Sequence, residues 1–249
     1  EKYGGVEMGA EVLCVLAEEI GRVLAPVPFS TSAPLATSAI CAHGSEAQKN
    51  DLLPKLAAGE VIGTFALAEG NGDPDASRIK AKVKNGRLSG KKYPVTDGSI
   101  ADFAVVVARD EANEIGLYFC DLSTSGITST PIETIDPSRN TVSFNFENAE
   151  VEPLGDAWLG WQSVQNLLDQ AAIILAFEQL GGAQACLEMA RDYAIERYAF
   201  GRPIGSFQAV KHKLANVYIA SELARSNAYY GAWALGEYST ELSQAAATA

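Results

Sequence analysis

Three side chains in the stretch RYAFGRPIGSFQAVKHKLA, residues 197–215, have types and spacing suited to holding a ligand. Arg197 offers a planar guanidinium whose fork matches a phosphate. Phe200 offers a flat apolar face three residues on. With Ser206 as a plausible N-cap, Gln208 falls at the second position of a new helix, beside amides that have no partner within it. A capping box would need Gln or Glu at the third position, where Ala209 stands, so Gln208 is not needed for capping. The bland alternative has Arg197 paired with Glu196 or another surface acid, and Phe200 filling core.

The trio would be held by a helix–turn–helix corner broken at Gly201, Pro203 and Gly205. From Trp158 the chain reads as helical. Leu167, Leu168, Ala171, Ile174, Leu175 and Ala185 belong to one long helix, and its Gly181-Gly182 pair would let another backbone approach closely. Past the corner, Phe207, Val210, Leu214, Val217, Ser221, Ala224 and Ala228 recur at three-four spacing as a bundle seam. Two long antiparallel helices are expected.

The N-terminal third also reads as helices. Leu13, Leu16, Ala17, Ile20 and Leu24 form a stripe with Glu11, Glu18 and Glu19 largely off it, and Pro26 and Pro28 end the element. Ser45 and Gln48 form a capping box before Leu52 and Leu53, and Pro54 is expected to open a further short helix stopping at Gly59.

From Val61 the period changes. Val61 to Glu69 is a short apolar run. Ile79, Ala81 and Val83 alternate with charges, Asn85-Gly86 is a hairpin turn, and Phe103 to Ala108 is a buried-type strand. Leu117 to Asp121 and the alternating Val142, Phe144 and Phe146 extend an antiparallel β domain of roughly six to eight strands. Arg78, Lys80, Lys82 and Lys84 fall on one strand face, read as solvated rather than as a coenzyme A patch.

The chain has 249 residues, 47% of them apolar, which is ample for a core and excludes a disordered class. A formal net charge of −12 argues against nucleic acid and anionic membranes as partners, so an anionic ligand needs local cations. Cys14, Cys41, Cys120 and Cys186 show no metal-type spacing and read as buried free thiols in a reducing cytoplasm. No apolar run reaches the ~18 residues of a membrane span. No signal peptide is evident, although both ends look cut. His43 lacks a nucleophile pattern, and His212 is expected to make a structural hydrogen bond; no metal or triad constellation emerges.

The 197–215 stretch closely resembles the flavin-binding signature of the acyl-CoA dehydrogenase family, Arg-x-x-Phe-Gly-x-x-Ile-x-x-Phe-Gln-x-Val-x-His-x-Leu-Ala. Here it is filled by Arg197, Phe200, Gly201, Ile204, Phe207, Gln208, Val210, His212, Leu214 and Ala215. The resemblance implies that Arg197, Phe200 and Gln208 reach across a subunit interface to the pyrophosphate and adenosine end of a neighbour's FAD. It also implies an α+β fold: an N-terminal helical domain (1–60), a middle antiparallel β-barrel-like domain (61–155) and a C-terminal helical bundle (156–249). Both helical domains are expected to be partial, since the family has helices before Glu1 and after Ala249.

Two further segments are similar to those that line the flavin ring in the family. Leu67, Ala68 and the residues to Asp73 stand for a Thr-Glu-Pro-x-x-Gly-Ser-Asp stretch, and Pro94-Val95-Thr96-Asp97 for Trp-Ile-Thr-Asn. The resemblance makes Leu67, Ala68 and Thr96 flavin contacts, Thr96 near N5; bottom-up, Thr96 equally suits a strand-end turn. Ala68 and Pro94 depart from the pattern, losing a hydroxyl and a stacking surface. Asp169-Gln170-Ala171-Ala172 lacks the Arg that many members carry near the acyl-CoA, and Asp169 is expected to face solvent. Gly70-Asn71-Gly72 fits a polar turn better than a dinucleotide loop.

The activity implied is FAD-dependent α,β-dehydrogenation of an acyl-CoA to the trans-2-enoyl-CoA, with electron-transfer flavoprotein as acceptor and a homo- or hetero-tetramer, a dimer of dimers, as assembly. In most members the catalytic Glu lies downstream of the stretch ending at Ala249, and Glu69 has no geometric claim to the role, so the catalytic residue is unknown. The departures look most like the branch with heteromeric steroid-CoA dehydrogenases. The alternative is therefore a non-catalytic, flavin-sharing structural subunit; a helical scaffold unrelated to flavin is a third reading.

Overall fold

A computed structural model describes residues 2–6, 8–155 and 160–249. Trp158 and the expected boundary at 156 lie outside the described residues. In chain order the helices α1 (Gly9–Arg22) and α2 (Phe29–Thr31), a π-helical stretch (Ser32–Thr37), α3 (Ser38–His43) and α4 (Glu46–Ala58) come first. Eight strands follow: β1 (Gly63–Ala66), β2 (Lys82–Lys84), β3 (Arg87–Thr96), β4 (Phe103–Arg109), β5 (Ile115–Asp121), β6 (Ile127–Pro131), β7 (Thr141–Glu150) and β8 (Glu152–Pro153). Then come α5 (Gly160–Glu196), the short strands β9 (Tyr198–Ala199) and β10 (Arg202–Pro203), α6 (Gln208–Gly236) and α7 (Leu242–Thr248).

The chain forms two compact units, Glu1–Glu7 with Pro26–Leu168, and Met8–Ala25 with Asp169–Ala249. In the first, the strands make one sheet in the order β6-β7-β3-β2-β4-β5-β8, curled into a half-barrel. Its spine is β4, buried on both faces because FAVVVAR alternates between two cores. Phe103, Val105 and Val107 pack with Ile40, Leu52 and Leu53 from the helices, while Ala104, Val106 and Ala108 pack with Val95, Phe144 and Phe146.

The expected antiparallel pairing holds between the named strands except on one side of β4, with one further parallel bridge between Glu69 and Tyr93. On that side of β4, β1 runs parallel beside Phe103–Val106, and β2 runs parallel at Arg109. These two strands lie end to end along one neighbour, so they must share a direction, and residues 67–81 form an excursion between them. Asn85 and Gly86, with φ of 50° and 70°, close the two-residue hairpin that returns the chain into β3.

Pro54 does not open a helix but sits inside α4, which runs unbroken to Gly59 in the left-handed conformation. Pro54 faces solvent, so water can satisfy the carbonyl its missing N–H leaves free. Ser45 and Gln48 form the capping box in both directions. Of the four free cysteines, Cys14 and Cys120 are buried, but Cys41 and Cys186 are exposed, lying on solvent-facing sides of α3 and α5.

In the second unit, α5 and α6 run antiparallel, with Gly231 beside Ile173 at one end and Gly205 beside Ala194 at the other. The buried stripe of α1 is Cys14, Ala17 and Gly21, and Leu16 and Leu24 are exposed instead. Small residues take that face because α1 meets α5 backbone to backbone. On α6, Ser221 and Ala228 are buried, but Val217 is 46% exposed and Ala224 is also exposed, so only part of the expected seam is covered. Among the described residues, no helix is long and apolar enough to cross a membrane.

Candidate functional site

The corner after α5 is a miniature hairpin. Arg202 pairs with Ala199 and Pro203 with Tyr198, leaving Phe200 and Gly201 as the two-residue turn. Both have positive φ, 53° and 76°, as the favoured hairpin turn requires. Glycine adopts this conformation freely; a phenylalanine there stores strain. The Phe200 ring is 96% exposed and does not fill core. Its one ring neighbour among the described residues is Phe207, edge-on at 6.2 Å.

Arg197 is exposed at the end of α5 and makes no ion pair with Glu196 or any other described acid. Its carbonyl accepts the Ile204 amide at 2.7 Å, which folds the corner back. Arg202, which the motif does not include, lies with its guanidinium 4.1 Å from the Phe207 ring centroid and has no acid partner among the described residues. Two guanidiniums without acid partners at one corner supply the local positive charge that an anion needs in so acidic a chain.

Ser206 is not the N-cap. It ends a 3₁₀ turn, and its hydroxyl donates back to the Pro203 carbonyl at 2.7 Å. Phe207 takes the cap position without a side-chain hydrogen bond, so Gln208 is the first residue of α6, exposed beside amides that no side chain covers. His212 makes no hydrogen bond among the described residues, since it points outward from α6. His43 is partly buried, and desolvation lowers its pKa with help from Lys49, favouring the neutral ring.

In the first unit, the other expected contacts lie where β1 runs out beside β3. The Leu67 side chain belongs to the core, so it can offer a ligand only its backbone. Ala68 is half-buried, and its carbonyl accepts the Tyr93 amide at 2.8 Å; the Gly70 amide returns to the Tyr93 carbonyl at 2.9 Å. Pro94 is exposed in a bulge of β3 between Lys92 and Val95, where a missing N–H is tolerated. Thr96 is half-buried; its carbonyl accepts the Thr64 hydroxyl at 2.7 Å, and its own hydroxyl has no partner among the described residues. Residues 67–75 and 77–80 line a cavity of about 270 Å³.

A buried pair in this region was not anticipated. Lys92, wholly buried, donates to Glu69 Oε1 at 2.7 Å and to the Leu67 carbonyl at 2.9 Å. Glu69 also accepts the amides of Lys80 and Ala81, at 2.7 and 2.9 Å, so its carboxylate is occupied and is no candidate base. Burial pulls the Lys92 pKa down to about 8 against the opposing effect of Glu69. The available signal was parity: Lys92 shares the inward side of β3 with Leu88.

Asp97, next to Thr96, is likewise buried. It accepts the Thr31 hydroxyl at 2.7 Å and lies 3.9 Å from the Arg139 guanidinium. Desolvation nevertheless raises its pKa. Asp169 is buried and has an interaction partner rather than facing solvent, because it lies on the inner side of α5. Among the described residues no acid, His or Cys cluster could hold a metal.

Two family models match this chain: Acyl-CoA dehydrogenase, N-terminal domain, over residues 1–60, and Acyl-CoA dehydrogenase, C-terminal domain, over residues 159–249. The chain belongs to the acyl-CoA dehydrogenase family. An acyl-CoA dehydrogenase of Bacillus subtilis (strain 168) is 35% identical over 249 residues, covering 93% of this chain and 65% of the relative. Mitochondrial isovaleryl-CoA dehydrogenase of Oryza sativa subsp. japonica is 33% identical over 244 residues, covering 92% of this chain and 60% of the relative. The solved structure of a Tcur3481-Tcur3483 steroid ACAD variant matches with a TM-score of 0.86 at 33% identity, covering 99% of this chain and 66% of that one. The chain therefore spans 60% to 65% of the length of these two curated relatives. Acyl-CoA dehydrogenases bind FAD and use it for dehydrogenation.

Proposed function

We propose that the protein is an FAD-dependent acyl-CoA dehydrogenase that converts an acyl-CoA thioester to the trans-2-enoyl-CoA. The observation that carries this reading is the corner, where Arg197, with no acid partner among the described residues, flanks a solvent-exposed Phe200 held at positive φ. Neither is explained by packing. Arg197 would hold the pyrophosphate of a neighbouring subunit's FAD through its planar fork, Phe200 would offer its face to that nucleotide, and Gln208 would donate beside the first amides of α6. Leu67 and Ala68 would meet the flavin ring through backbone, and the free hydroxyl of Thr96 would donate to it.

When bound, FAD supplies the hydride acceptor for the β-hydrogen. The residues of this chain bind and orient; the base that removes the α-proton is not among those assigned, since Glu69 is committed to Lys92 and two amides. The proposed partners are an acyl-CoA, an electron-transfer flavoprotein and further subunits in a homo- or hetero-tetramer. The four free thiols favour a reducing cytoplasm as its location.

Ala68, Pro94 and Ala172 favour a second reading, a non-catalytic subunit that lends its corner to a flavin shared with a different chain. Purifying the intact protein alone and titrating it anaerobically with acyl-CoA separates the two. A yellow protein that bleaches supports the dehydrogenase. A colourless, inert protein that turns yellow only with a partner chain supports the shared site, and one that stays colourless with FAD and any partner refutes both.

A further inference from the structure

The excursion over residues 67–81 leaves and rejoins one line of strand beside β4, and its neck is closed by side chains. At the exit, Glu69 accepts the amides of Lys80 and Ala81 at the return. Lys92, from β3, grips the same carboxylate and the Leu67 carbonyl on the other side of Ala68. Backbone bonds from Tyr93 to Ala68 and Gly70 run alongside. Ala68 is thus bracketed from both sides by β3, close to its Thr96 end. A well-packed apolar side chain at position 92 would spare the core the desolvation of an ammonium. What the ammonium adds is a fixed spacing between the neck of the loop and β3.

We infer that Lys92 is a positioning residue: through Glu69 and the Leu67 carbonyl it sets Ala68 against the Thr96 end of β3 and holds the wall of the adjoining cavity. The cofactor part of this inference rests on the flavin reading of Leu67, Ala68 and Thr96. The loop part rests on geometry alone.

The test uses the intact protein carrying Lys92→Met, Glu69→Gln, or both. Amide hydrogen exchange across residues 67–81 is followed without flavin, and FAD affinity and the bound-flavin spectrum are then recorded. Lys92→Met is expected to speed exchange at Lys80 and Ala81 at least tenfold and to weaken FAD binding at least tenfold with a shifted spectrum. The double variant is expected to recover much of the thermal midpoint, because no buried charge is left unpaired, without recovering either readout.

Unchanged exchange overturns the inference, and so does faster exchange with wild-type affinity and spectrum. Should Lys92→Met not fold, Lys92→Gln, which leaves the Glu69 acceptor of both amides in place, is followed by the same two readouts, and the same results uphold or overturn the inference. A wild-type protein that binds no FAD overturns the flavin reading and the cofactor part with it; faster exchange in the variant would still uphold the loop part.

Discussion

A methyl group added to Gly181 on α5 would collide with the carbonyl oxygen of Glu18 on α1, and the contact is reciprocal: one added to Gly21 would collide with the carbonyl oxygen of Glu178. Each helix admits the other only through a missing side chain. Around this contact, Arg22 pairs with Glu188 at 2.5 Å and Arg225 with Glu18 at 2.5 Å. Gly181→Ala is therefore expected to destabilise the second unit by about 3 kcal/mol, the upper end of ordinary overpacking. Gly182→Ala, whose methyl would meet its nearest neighbour at an ordinary 3.5 Å, is expected to stay near wild type. Urea midpoints of the two variants check the contrast.

Phe200→Gly separates the backbone of the corner from its ring. Glycine relieves a left-handed strain of about 1 kcal/mol but adds a similar cost in unfolded-chain entropy, so the thermal midpoint is expected to change little. FAD retention on gel filtration is expected to fall. Arg197→Ala should do the same. A variant pair that keeps the flavin of the wild type would refute the nucleotide role of the corner.

Lys92 gives stability a pH dependence whose sign is fixed by its direction of shift. Below about pH 8 it is protonated in the folded and unfolded chains alike, and its contribution is level. Between about 8 and 10.5 the unfolded chain keeps the proton that the folded chain has released, so this group's contribution to stability rises with pH. Urea unfolding of wild type and Lys92→Met at stepped pH tests this: the difference between them should slope in that window and flatten below it.

Thr31→Val removes the hydroxyl that Asp97 holds and leaves a buried carboxylate facing Arg139 at 3.9 Å. The expected loss is about 2 kcal/mol at neutral pH, as for a buried acceptor without its donor. Because burial already raises the folded pKa of Asp97, the folded chain takes up its proton first as pH falls through that raised value. The group's penalty then shrinks toward acid pH, and the deficit of the variant should shrink with it. Paired denaturation curves at neutral and acid pH measure this.

The corner was legible because its parts lie within one continuous stretch, and the turn chemistry of Gly201 and Pro203 marks it. The strand runs were legible for a similar reason: alternation in Val142, Phe144 and Phe146 is a local signal. Lys92 and Glu69 were not, because a lysine in a basic-looking strand reads as solvated until the register shows which way it points. The direction of β1 was equally hidden, since it depends on β2 continuing the same line beside β4. On α1 the expected stripe was right at Ala17 but not at Leu16 and Leu24, which are exposed; backbone proximity rewards smallness at Cys14 and Gly21, which a hydrophobic stripe does not weigh.

The turn at Phe200 and Gly201 is braced locally by the pairing of Ala199 with Arg202 and of Tyr198 with Pro203. A nucleotide arriving at that tip would find the aromatic face standing ready, and association would lose little freedom in arranging it. Encounter, rather than any refolding of the corner, would then limit how quickly such a guest is captured.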